Sequence, residues 1–291
     1  MNAVIYYLAL PFIYVIAYLP FSVLYMLSDL LYVLVYFVIG YRKDVVFTNL
    51  RNSFPEKTED ELEQIARKFY SYFCDLMLET VKTLTMSKKT ARKRMTVTNV
   101  EVFERYYQQK QSVIIVMGHW GNWEMGGVRF AAEPIHQLFV IYHPLANKHF
   151  NKLIYRMRTR LGNGLYAMRN VTRGMVENKN KITATAFIAD QTPSPKNCHW
   201  TTFLNQDTPV FTGTGKYAKK FKYPVVYVGI KRTKRGYYDV IVEDLIPNPD
   251  KYTEIEILEK FTKRLELDIQ QIPEIWLWTH KRWKHKRQTS E

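Results

Sequence analysis

Cysteine is nearly absent. Two in 291 residues, Cys74 and Cys198, cannot build a disulfide framework, and neither has metal-ligand spacing. Both read as reduced, buried thiols, and a zinc site is not expected. Lysine and arginine are missing from the first 41 residues, where Asp29 is the only charged side chain. Without a basic n-region, and with an apolar stretch that runs on too far, a cleaved signal peptide fits poorly. There is no internal repeat and no low-complexity linker, and no glycine pattern matches a Walker loop. Acidic residues are also in short supply: 27 Asp and Glu face 42 Lys and Arg, a net charge of +15. Such a balance points to an anionic partner, whether nucleic acid, an acidic protein, a phosphate-bearing substrate or an anionic membrane surface.

The chain is long enough for one large domain with a substantial core and an appendage. Residues 1–41 read as a membrane anchor. Residues 3–19 suffice for a marginal span, Phe21–Ile39 makes a second apolar run, and Pro20 breaks the two. Two arrangements are open: the first segment spans while the second packs on the domain, or both span as a hairpin. In either, Arg42 and Lys43 place residues 42–291 on the cytoplasmic side.

The rest of the chain is organised around the stretch VIIVMGHWGNWE, residues 113–124. Val113–Met117 reads as a buried strand, and residues 125–132 as a helix weakened by Gly126 and Gly127. The strand–helix corner between them presents His119 and Glu124 at the edge where open α/β sheets bind ligands. Glu124, near a helix N-terminus, is expected to stay ionised and to orient the His119 ring, leaving the other ring nitrogen free as a base. The corner holds no Ser or Cys, so the economical chemistry is direct deprotonation of a substrate hydroxyl without a covalent intermediate. A bare His-x4-Glu also arises by chance as a helix cap.

Around this corner the pattern alternates. Thr58 and Glu61 form a capping box for a helix to about residue 84. Gln137–Tyr142 reads as a strand, residues 147–161 as a basic helix carrying Arg156, Arg158 and Arg160, and residues 166–169 as a short strand with Arg169 at its exit. Residues 182–189 form a third core strand, stopping at Asp190 and Gln191 on the side expected to hold His119. Residues 201–210 look loop-like. Around Thr212 and Gly213 a helix begins whose N–H groups could hold an oxyanion or phosphate. Residues 225–230 and 237–242 read as a hairpin at a sheet edge, residues 253–271 as a terminal helix. The expectation is an α/β fold, a mixed central sheet flanked by helices behind the N-terminal anchor.

With these pieces placed, the sequence resembles the late (lauroyl/myristoyl-type) acyltransferases of lipid A biosynthesis, within the lysophospholipid and glycerolipid acyltransferase superfamily. The matching blocks are Tyr41-Arg42, Asn49-Leu50, Phe54-Pro55, residues 119–124, Arg169, Asp190-Gln191 and the terminal WLWTHKRW, residues 276–283. The resemblance implies acyl transfer from an acyl carrier protein to a hydroxyl of a phosphorylated lipid A precursor at the bacterial inner membrane. It implies His119 as base, Glu124 as its partner, and Arg169 against substrate phosphate or the oxyanion. Asp190, Gln191, Arg158, Arg160, Thr212 and Gly213 are further expected substrate contacts, with no metal or organic cofactor. Thr212-Gly213-Thr214-Gly215 lacks the Pro-Glu-Gly-Thr pattern of glycerol-phosphate acyltransferases, which favours the lipid A branch. Another lipid acceptor, such as a glycolipid, an ornithine lipid or a lysophospholipid, stays open. A tethered binding protein or a nucleic-acid binder leaves the His–Glu corner unexplained.

Overall fold

Before the first strand the chain is helical, and after it strands and helices alternate. The computed structural model describes residues 2–133 and 135–287. The helices before the sheet are α1 (Asn2–Tyr18), α2 (Phe21–Tyr32, running on through a π-helical stretch, Val33–Ile39), α3 (Lys43–Ser53), α4 (Glu59–Lys82) and α5 (Lys88–Arg94). Then come β1 (Met95–Thr98), α6 (Glu101–Gln108), β2 (Val113–Met117), α7 (Trp123–Phe130), β3 (Gln137–Tyr142), α8 (Lys148–Thr159), β4 (Gly164–Ala167), α9 (Val171–Glu177) and β5 (Thr183–Ile188). The chain closes with β6 (Cys198–Phe203), β7 (Gln206–Phe211), α10 (Gly213–Phe221), β8 (Val225–Lys234), β9 (Tyr237–Ile246) and α11 (Glu254–Gln271).

Among the described residues, seven strands form one sheet in the order β1-β9-β8-β2-β5-β3-β4. Only β8–β9 is antiparallel, so the sheet is mixed, as the α/β reading expects. β2 and β5 lie mid-sheet with both faces covered, which is why β2 is a continuous apolar run and β5, TATAFI, buries even its threonines.

Three expectations are corrected. The β8–β9 hairpin is not the sheet edge, because the short β1 pairs with β9 outside it. Four residues with one buried position, MTVT, give too weak a period-2 signal to stand out. Residues 201–210 are no loop: β6 and β7 form an antiparallel hairpin. Its two turn residues, Leu204 and Asn205, both adopt positive φ (49° and 61°), a tight hairpin turn made without the usual glycine. The strand near Arg169 ends at Ala167, and Arg169 sits in a 3-10 turn, Met168–Asn170.

α4 ties the N-terminal helices to the sheet. Its capping box at Thr58 and Glu61 is formed, and its inner face buries Leu62, Ala66, Phe69 and Tyr70. Full burial of Leu62 or Phe69 is worth roughly 1.5–3 kcal/mol each. Two carboxylates of α4 are also fully buried. Asp75 accepts from Ser28 (2.7 Å), Arg232 (2.6 Å) and Arg235 (2.7 Å). Glu79 accepts from Tyr25 (2.6 Å), Asn122 (2.7 Å) and Tyr238 (2.5 Å). Burial pushes the Glu79 carboxyl up, while those three donors pull it back. Ser28 and Tyr25 belong to α2, which therefore packs along α4 through polar bonds. Its other face exposes Val23, Met26 and Leu30, and α1 exposes Ile5, Leu8, Phe12 and Val15. Phe21–Ile39 is long and apolar enough to cross a membrane, whereas Ala3–Tyr18 is shorter. By length it is the second segment, and not the first, that suits a span, contrary to the first of the two arrangements.

Candidate active site

β2 runs parallel to both of its neighbours, β5 and β8. Its register with β5 pairs Met117 with Ile188. The second residue beyond each strand, His119 on one and Asp190 on the other, therefore falls beside its counterpart at the carboxyl edge of the sheet. Two glycines permit the corner. A Cβ on Gly118 would lie 2.6 Å from the Leu265 side chain, and one on Gly121 only 1.7 Å from the Ile230 carbonyl oxygen. Gly121 also has φ +79°, a conformation that side chains resist.

The His119 ring is held from both ends. Nδ1 lies 2.6 Å from Asp190 Oδ1, and the His119 backbone N–H donates to Asp190 Oδ2 at 2.7 Å. Trp276 Nε1 donates to the same Oδ2 at 2.8 Å. Burial works against the Asp190 carboxylate, but the positive charge that His119 carries once protonated at low pH, together with these donors, outweighs it and holds its pKa at about 2. At the far end of the ring, the Gln191 amide nitrogen is 3.3 Å from Nε2. An amide nitrogen only donates and a carboxylate only accepts, so both contacts demand one tautomer: proton on Nδ1, lone pair on Nε2. The Trp123 ring meets the imidazole edge-on at 4.7 Å between centroids.

Glu124 is not the ring's partner. It lies in the first turn of α7, whose N-cap Asn122 accepts from the Met125 N–H, and its carboxylate is paired with Arg158 of α8 (Nε–Oε2 3.1 Å, with a second bond from Nη2 to Oε1). The orienting carboxylate is Asp190, 71 residues further on, delivered by strand register rather than by sequence proximity.

His119, Trp123, Glu124, Arg158 and Gln191 line one cleft of about 480 Å³, with Tyr142, Asn163, Met157 and Ile188 among its other walls. A narrower cavity of about 80 Å³ adjoins it, sharing Trp123, Gly127, Val140 and Ile188, and is lined mostly by apolar side chains such as Ile115, Phe130 and Val228. Of the expected substrate contacts, Asp190, Gln191 and Arg158 are thus brought to His119. Arg160 is not: two residues past Arg158 turns it about 200° round the helix, and it donates to the carbonyls of Thr83 (2.7 Å) and Met86. Arg169 is exposed, beside Met168, which does line the cleft. Thr212 and Gly213 cap and start α10 against Phe187, outside the cleft lining. Among the described residues no group of three or more His, Cys, Asp or Glu is placed to hold a metal ion. Sequence reasoning assigned no role to Trp276 or Trp123. Their signal is the unusual density of tryptophan at 120–123 and 276–283.

A family model described as bacterial lipid A biosynthesis acyltransferase matches residues 1–285. The chain is 24% identical over 249 residues to the lipid A biosynthesis palmitoleoyltransferase of Escherichia coli K12, covering 84% of this chain and 79% of that protein. A lipid A biosynthesis acyltransferase of Haemophilus influenzae is 21% identical over 220 residues, 76% of this chain and 69% of its own length.

Proposed function

Because the chain belongs to the bacterial lipid A biosynthesis acyltransferase family, we propose that it moves a fatty acyl group from an acyl carrier protein to a hydroxyl of a phosphorylated lipid A precursor, with His119 as general base. The observation that carries this reading is the unprotonated Nε2 of His119, its tautomer fixed by Asp190 and Gln191, on the wall of a cleft with both polar and apolar sides.

The acceptor hydroxyl displaces Gln191 from Nε2 and gives up its proton there as its oxygen attacks the thioester carbonyl. Collapse of the tetrahedral intermediate breaks the carbon–sulfur bond, and the imidazolium returns the proton to the departing thiolate. The Gln191 amide, released from the ring, and the Arg158 guanidinium are the donors available for the oxyanion. Glu124 holds Arg158 in place. The acyl chain lies along the apolar wall shared by the two cavities. A basic surface suits an acidic carrier and a phosphorylated lipid.

The exposed apolar sides of α1 and α2 face the inner membrane, with residues 42–291 forming the cytoplasmic domain. The polar bonds from α2 to Asp75 and Glu79 favour a helix pair lying in the interface over one crossing it.

The test is mass spectrometry of total lipid A from cells with and without this protein. The expected result is loss of one acyl chain from lipid A when the protein is removed, restored by the wild-type gene. Unchanged lipid A with a chain missing from another lipid class would move the acceptor assignment to that class.

A further inference from the structure

The terminal run WLWTHKRW forms the rear wall of the His119 corner. The Gly121 N–H donates to the Ile275 carbonyl (3.0 Å), the Leu277 N–H to the His119 carbonyl (3.2 Å), and Trp276 to Asp190. Asn49 of α3 clamps the run from outside by donating to the carbonyls of Trp278 (2.9 Å) and His280 (3.1 Å), and Thr192 Oγ1 donates to that of Arg282 (2.7 Å). Within this wall Arg282 is anomalous. Its side chain is buried, at 1% exposure, yet Nε and Nη1 have no hydrogen-bond partner among the described residues. Arginine is almost never buried unless it is paired, because stripping water from a guanidinium is costly.

What faces it is Asp190. The two side chains line one small void together with Phe203, Phe261 and Leu265. The Asp190 oxygens are already taken by His119 and Trp276, so Arg282 acts on the carboxylate through space, past mostly apolar side chains that screen charge poorly. Resting on the proposed role of His119 as base, we propose that Arg282 is a positioning residue: its buried charge balances Asp190 so that the His119 ring stays neutral and able to accept a proton.

The sign is set by the groups present. Asp190 alone favours an imidazolium, a charged ring that cannot serve as base. A cation behind Asp190 opposes that second positive charge. The other ionisable groups facing His119 add little: Glu124 and Arg158 neutralise one another, and His143 sits exposed on the cleft wall. His280, from the same terminal run, is pushed down to about 4 by burial, and by His119, Arg282 and Lys284 against the pull of Asp190, so it is neutral at neutral pH. Arg282 itself is brought down to about 10 by burial, with Asp190 and Cys198 opposing, and keeps its charge there.

Arg282→Met removes the charge and keeps the bulk; Arg282→Lys keeps a charge. Each full-length variant is purified in detergent. The pH dependence of kcat/KM for acyl transfer is measured alongside an NMR titration of the His119 ring, which needs no substrate. The expected result for Arg282→Met is an acid limb, and a ring titration, displaced to higher pH by about half a unit to one unit. Activity should be weak at pH 6.5 and near wild-type at pH 9, and Arg282→Lys should stay closer to wild-type on both counts. If Arg282→Met does not fold, Arg282→Gln takes its place. A folded charge-free variant whose ring titration and acid limb do not move, however low its activity, overturns the proposal. A shifted ring titration with no acyl transfer by wild-type protein would instead sink the functional reading and leave the electrostatic one standing.

Discussion

His119→Ala is expected to lower turnover by about 100- to 10,000-fold, the usual worth of a positioned general base, with KM for the lipid acceptor nearly unchanged. A lipid hydroxyl is a poor nucleophile at neutral pH, so its proton must leave as the acyl carbon is attacked. The Nε2 lone pair is placed to take it, because Asp190 and Gln191 demand the same tautomer from opposite ends of the ring. The loss should appear in kcat rather than KM, since the interaction removed strengthens only as the hydroxyl ionises. Steady-state kinetics on the purified variant, with its fold checked by thermal melting, decide the matter. Near-normal kcat in a folded protein would remove His119 from the chemistry.

Asp190→Asn is expected to be about as severe, for a reason that is geometric as well as electrostatic. The Asp190 Oδ2 position receives two donors, the His119 backbone N–H and Trp276 Nε1. The asparagine carbonyl oxygen will settle there, since turning its NH₂ toward two N–H groups would leave all of them unpaired. The NH₂ then faces Nδ1, which must accept, and the ring proton moves to Nε2. The base is lost to the wrong tautomer while the shape of the site survives. A loss of roughly 100-fold or more in kcat is expected on this ground. Combined with His119→Ala, Asp190→Asn should add little, because the pair acts as one unit. Glu124→Gln should behave differently: its partner is Arg158, so its effect should multiply with that of His119→Ala instead of vanishing into it. A double mutant of His119→Ala with Glu124→Gln no worse than His119→Ala alone would restore Glu124 to the base.

The central sheet was legible because Val113–Met117 is the continuous apolar run of a doubly covered strand, and residues 182–189 are small, β-branched or apolar throughout. His119 was legible because it comes after such a strand through a glycine. Its partner was not. Sequence proximity favoured Glu124, but five residues across a strand–helix corner carry that side chain onto the first turn of α7, facing α8. Asp190 reaches the ring through the β2–β5 register, which matches residues 71 positions apart and which no local pattern encodes. Asp190 could be placed at the right edge of the sheet, though not at the right atom. The same limit applies to Arg158 and Arg160, two cations on one basic helix: only helical phase separates the one that reaches the cleft from the one that ties α8 to the carbonyls of Thr83 and Met86. The β6–β7 hairpin was missed because its turn, Leu204-Asn205, takes positive φ without a glycine to announce it.

Direct transfer is the core of the proposed mechanism: His119 activates the acceptor, and no side chain is acylated on the way. Intact-mass spectrometry of the purified protein, incubated with acyl carrier donor and no lipid acceptor, tests this most directly. The expected spectrum shows unmodified protein at every time point, with acylated lipid forming once acceptor is added. A protein peak heavier by one acyl chain, which then disappears as acceptor is consumed, would contradict it.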